Sequence, residues 1–172
     1  IVKNGCVKWE GDLHEDFKPL REVKTYFIKG IERIHLATEE HFEGNKRRNL
    51  EVSLKQLKKY PDDPRSLWNL GNSQKALNMN FEAVATFEKF ESDDEKYIAR
   101  LRMSEAYWNM RQMVEAVDNA RYAIGIKPEY PDAYNLLGAL YLELENFEKA
   151  RDMLMTGLRK KPPYLNILVY NP

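Results

Sequence analysis

The sequence predicts a mainly α fold: about three helix–turn–helix repeats with a capping helix, arranged as a superhelix and preceded by a short β-rich segment. Three observations predict it. Small residues recur at a fixed step, with Ala83, Ala116 and Ala150 lying 33 and 34 positions apart. Gly71, Ser104 and Gly138 keep the same rhythm twelve residues upstream of those alanines. Prolines at 128 and 162 close two of the units, where a helix must stop.

Composition bounds the reading. A chain of 172 residues is long enough to bury a core without staples. Its 27 basic and 27 acidic residues cancel, which removes the bulk electrostatic argument for nucleic acid or a membrane surface as partner. Cys6 is the single cysteine, so an intrachain disulfide is excluded and a reducing, cytoplasmic setting is expected. No apolar run approaches the roughly 20 residues of a transmembrane helix. The N-terminus has neither an initiator Met nor an apolar signal-peptide core, which suggests a piece of something longer.

Residues 1–45 read as β-rich. Val2, Val7 and Trp9 alternate between Gly5 and Gly11, and residues 21–37 mix Val23, Thr25, Tyr26, Phe27 and Ile28 with a break at Gly30. Two or three short strands are expected there. From 46 the period changes to helical. Leu50, Leu54 and Leu57 share one face of a helix that Pro61 and Pro64 stop, and its basic side carries Lys46, Arg47, Arg48, Lys55, Lys58 and Lys59. That side is either solvated surface or an anion contact.

Repeats are expected at about 64–95, 96–129 and 130–163, within a domain spanning 46–172. In the third, Tyr134, Leu137, Gly138, Tyr141, Ala150 and Pro162 stand at the spacing of a tetratricopeptide repeat (TPR). The resemblance implies two antiparallel helices per unit, each unit needing a neighbour to cover its open face. Leu67, Leu70 and Gly71 open the first unit; Met103, Ser104 and Tyr107 hold the corresponding places in the second. Glu95 stands where the first unit would carry its closing proline, so a less sharply turned junction is expected. The apolar stretch after Pro162 is too short for a fourth unit and is expected to pack over the last helix pair.

A second resemblance covers the N-terminal part. Trp9, Gly11 and His14-Glu15, then Ile34-His35, then Lys46-Arg47-Arg48-Asn49-Leu50 ahead of repeats, resemble the C-terminal part of a family 2 (GT-A type) glycosyltransferase carrying TPR repeats; Tyr170-Asn171-Pro172 is similar to that family's inter-repeat hinge. The resemblance implies a nucleotide-sugar transferase as parent, with a divalent metal, Mn or Mg, on the donor diphosphate. Glu15 would be base or acceptor contact, and either His14 or His35 would reach the metal. The aspartates contain no D-x-D pair, so the donor-binding half is missing and this stretch alone is expected to be inactive.

The first helices of a TPR array line its groove. By that register Arg65, Trp68, Asn72, Lys75, Leu101, Glu105, Trp108, Asn109, Asp132, Asn135 and Leu142 face a partner, a protein or peptide or the glycan acceptor of the parent enzyme. Trp68 and Trp108 are either anchors for that partner or packing against the next repeat. Asn72 matches the asparagine of carboxylate-clamping TPR grooves, but Trp68 occupies the place of the lysine such a clamp needs. The alternative to a glycosyltransferase tail is a non-enzymatic scaffold for protein–protein interaction.

Overall fold

The computed structural model of the chain describes residues 7–10, 16–19, 39–61 and 63–160. Two strands, β1 (Val7–Glu10) and β2 (Asp16–Pro19), pair antiparallel with Val7 opposite Pro19. Seven helices follow among the described residues: α1 (Glu39–Lys59), α2 (Pro64–Ala76), α3 (Asn80–Phe87), α4 (Asp93–Asn109), α5 (Met113–Ile126), α6 (Pro131–Glu143) and α7 (Phe147–Leu158). One four-residue pair does not make a β-rich segment, and α1 begins inside the stretch read as one. Residues 21–37 and the stretch after Pro162 lie outside the described residues.

The helices pair as α2 with α3, α4 with α5 and α6 with α7, and each pair stacks on the next. Each pair turns the same way. The helix ends with a residue in the left-handed region: Asn78 at φ 59°, Arg111 at 61° and Glu145 at 55°. Around it the N–H of Met79 reaches the Gln74 carbonyl at 2.9 Å, Gln112 reaches Tyr107 at 2.9 Å and Asn146 reaches Tyr141 at 2.9 Å. This six-to-one bond satisfies a carbonyl that the ending helix would otherwise strand, and reverses the chain in two or three residues. Asparagine tolerates such a backbone; arginine and glutamate do so at a cost of about 1–2 kcal/mol.

Starts are set by caps. Asp63 accepts from the Ser66 N–H at 2.8 Å ahead of Pro64; Tyr130 stands ahead of Pro131 without a side-chain cap, so the proline at the first helical position marks that start. At the junction lacking a proline the outcome differs from a mere softening. Ser92 becomes the cap, exchanging bonds with Glu95, and Asp93, Asp94 and Glu95 fill the positive first turn. The helix α4 thus starts four residues ahead of Tyr97, the position corresponding to Pro64 and Pro131, and α3 ends early.

The core is a chain of clusters along the array. Leu67, Val84, Phe87 and Phe90 meet Ala99, Met103 and Ala106. Ala116, Val117 and Ala120 meet Leu137, Leu140, Tyr141 and Ala150. Tyr97, Ala123, Tyr130 and Ala133 form a third. A side chain placed on Gly71 would meet the Phe87 ring at 2.7 Å, and one on Gly138 would meet Leu154 at 2.7 Å. Where the second unit carries Ser104 instead, its hydroxyl donates to the Ala116 carbonyl at 2.7 Å, and both residues are fully buried. Large residues on one helix are therefore matched by small ones on its partner.

Among the described side chains of α1 the buried one is Ser53, whose hydroxyl donates back to the Asn49 carbonyl at 2.8 Å. Leu57 packs against the first cluster while Leu54 stays 46% exposed. The buried side of α1 is thus turned from the expected Leu50–Leu54–Leu57 face toward Ser53.

Two expectations follow. Gly71→Ala destabilises the fold by about 1–3 kcal/mol through overpacking against the buried Phe87 ring, and adding Phe87→Leu recovers part of that loss in a double-mutant denaturation series. Glu145→Gly, which relieves an exposed residue of its left-handed backbone, raises stability by about 1 kcal/mol and should raise Tm by about 2–4 °C in calorimetry.

Candidate partner-binding face

The first helices α2, α4 and α6 stand side by side, and polar links tie their facing edges. The Lys75 ammonium on α2 pairs with the Glu105 carboxylate on α4, which also accepts from Arg102 Nη1 at 3.1 Å. Arg111, at the turn after α4, pairs with Glu143 on α6. The Tyr97 hydroxyl on α4 donates to Asp132 on α6 at 3.3 Å. Burial, and then the Asp132 charge beside it, pushes the Tyr97 phenol well above its ordinary value. On the edge away from this face, Asp94 at the start of α4 holds the Lys127 ammonium at 2.6 Å, and that bond raises the lysine.

The residues expected on this face divide into two groups. Lys75, Glu105 and Asp132 are spent on the links between repeats. Asn72 donates to the carbonyl of Trp68, one turn behind it, at 3.0 Å. Asn135 leans on α7: a side chain on Gly157 would meet its Oδ1 at 2.6 Å. Trp68 is half-buried, edge-on to Phe87 at 5.5 Å and Phe90 at 6.1 Å, with the Arg102 guanidinium 5.9 Å over its ring. Trp108 is half-buried against the second cluster. Both tryptophans therefore pack against the repeats and present only part of a ring to solvent.

The second group has open surface: Arg65 at the start of α2, half-buried Leu101 on α4, exposed Asn109 at its end, and Leu142 on α6 at 47% exposure. By helical register these and the exposed parts of the two indoles form a mixed apolar and polar strip along the three first helices. The sequence reading missed Arg102, Arg111 and Glu143. Arg102 was signalled by its position three residues before Glu105, and Glu143 by following Leu142 in the same register.

His14, Glu15 and His35 lie outside the described residues. The stretch Lys46–Leu50, which carried part of the glycosyltransferase resemblance, sits within α1 as ordinary helix. Among the described residues no group of three or more His, Cys, Asp or Glu is placed to hold a metal, and no helix is long and apolar enough to cross a membrane.

Paired antiparallel helices with a left-handed turn, stacked at a 33–34-residue step, define a TPR-type helical array. Residues 107–167 match the family model described as tetratricopeptide repeat. Solved structures share the fold. "Crystal structure of MamA" superposes with a TM-score of 0.59 at 21% identity, covering 76% of this chain and 77% of that one. "MamA 41-end from Desulfovibrio magneticus RS-1" superposes with a TM-score of 0.59 at 17% identity, covering 68% and 67%. "Crystal structure of MamA protein" gives 0.57 at 22% identity, covering 70% and 66%. No curated protein matches the chain. Nothing in these comparisons points to a glycosyltransferase, so the TPR resemblance stands and the GT-A one is unsupported.

The raised Tyr97 phenol has a measurable consequence. Because the folded state holds the proton more tightly than the unfolded chain, this group's contribution to stability is full below about pH 10 and is lost as pH rises beyond it. Denaturation between neutral and alkaline pH should show that fall, and Tyr97→Phe should flatten it.

Proposed function

We propose that the chain is an interaction scaffold whose first-helix face binds an extended segment of a protein partner. One observation carries the reading. The strip formed by Arg65, Leu101, Asn109 and Leu142, with the open edges of Trp68 and Trp108, is accessible while the links beside it hold the three helices in register. Apolar and amide side chains at intervals on a rigid support suit alternate side chains and backbone amides of an extended peptide. The half-buried indoles give a flat apolar floor at little entropic cost on binding, since packing already fixes them.

The carboxylate clamp is not part of this reading. Asn72 is engaged by its own helix, and the lysine the clamp needs is Trp68. A glycan acceptor and a glycosyltransferase parent rest on the sequence phrases from Trp9 to Leu50 and at Tyr170–Pro172, and no feature of the described fold favours them. A divalent metal belongs to that parent and has no role in the scaffold.

The test begins with peptides selected from a random displayed library on the intact chain. Leu142→Asp and Asn109→Ala should each weaken the selected peptides by tenfold or so, equivalent to about 1.4 kcal/mol, with helicity and Tm held. Tyr122→Ser, on the second helix of its unit, should leave affinity unchanged. Selected peptides that bind the Leu142→Asp chain as tightly as the wild type would place the binding surface elsewhere. Trp68→Ala is the wrong probe, because removing a ring packed on Phe87 and Phe90 also costs stability.

A further inference from the structure

The last helix pair ends the described array with an uncovered apolar face. Phe147 is 66% exposed and Leu158 79%, with Met155 at 45% and Leu144 at 46% beside them. Phe147, Met155 and Leu158 lie at helical spacing on one side of α7, interrupted only by Arg151. The face has a covered counterpart inside the molecule. In the second unit, Met113 and Ile124 hold the places of Phe147 and Leu158, and both pack against the cluster that unit three completes. The same surface that stacks one repeat on the next is thus presented at the end, with large residues in it.

We infer that the chain covers this face with its own segment Tyr164–Tyr170. The α7 helix ends at Leu158, and the sequence that follows carries Pro162 and Pro163, which do not extend a helix. The segment that follows, Tyr-Leu-Asn-Ile-Leu-Val-Tyr, is apolar at six of seven positions, and residues 162–172 carry no charge. Seven extended residues span about 23 Å, enough to run the roughly 18 Å of a twelve-residue helix. Tethered a few residues from Leu158, the segment acts at an effective concentration on the order of millimolar, which a second copy at micromolar concentration does not match. Two apolar surfaces joined by so short a link bury each other first, and their burial removes a patch of the kind that drives association.

The inference concerns the end of the array and stands independently of the first-helix face. A nitroxide on Glu148→Cys, in a Cys6→Ser background, reads it directly by paramagnetic broadening. The amide signals of 164–170 should lose most of their intensity, equally at high and low protein concentration. Adding Phe147→Asp and Leu158→Asp should restore the signals, with circular dichroism confirming that the helices remain. Signals that keep their intensity in the labelled chain would overturn the inference. So would broadening that fades on dilution, or that passes from a labelled chain to a separate isotope-labelled one, since either assigns the face to a second copy.

Discussion

The architecture depends on how closely the two helices of a unit approach. That approach is set at one position per repeat. Gly71 faces the Phe87 ring and Gly138 faces Leu154, at distances that leave no space for a side chain. In the second unit the matching pair is Ser104 and Ala120, both fully buried. There the balance is reversed: the first helix carries a small side chain and the second has shed its large one. The α5 helix lines its inner side with Ala116, Ala120 and Ala123, all fully buried at helical spacing. This lets its backbone come within reach of the Ser104 hydroxyl. Packing to interior density constrains the sum across each contact rather than either residue alone.

Because each unit covers its neighbour, the fold behaves as a stack, and its polar contacts divide accordingly. Within units, side-chain bonds join pairs of helices: Thr86 donates to Gln74 at 2.7 Å, buried, and Arg100 donates to Asn119 at 2.9 Å, part-buried. Between units, Lys75–Glu105, Arg111–Glu143 and Tyr97–Asp132 fix the sideways register of α2, α4 and α6. Arg121 adds a link from α5 to Tyr141 at 2.7 Å. The exposed ion pairs contribute little free energy. They join the facing edges of first helices whose approach the apolar clusters already set.

The repeat was legible in the sequence because its signal is redundant. Gly71, Ser104 and Gly138 on one helix and Ala83, Ala116 and Ala150 on the other report the same contact from both sides. The long α4 was not foreseen, although its parts were visible: without a proline at 95, Ser92 followed by three acidic residues is a strong helix start. Ser53 was overlooked on α1 because the leucines beside it dominate a pattern read from hydrophobicity alone. The face was only partly legible. Register places a residue on a side of a helix, but it does not say whether Lys75 meets solvent or Glu105, which lies 30 positions away. The glycosyltransferase phrase is unsupported for a different reason. Its histidines and glutamate are short local words, and no repeated structure tests them.

A division of labour follows along the first helices. Positions that touch the next repeat are constrained by packing or pairing, and their chemistry is already committed to the stack. On the proposed reading a partner would meet what these positions leave accessible: Asn109, Leu142, the open part of Leu101, which also packs on the third cluster, and the outer edges of two indoles. A surface of this kind discriminates by spacing more than by strength of contact. On the same reading, the stack sets the spacing of Leu101 and Leu142, and a bound segment would have to match that interval to use both. Changing a link residue should therefore alter which segments bind before it alters whether the chain folds, because the links lie at the edge of this face and contribute little to stability.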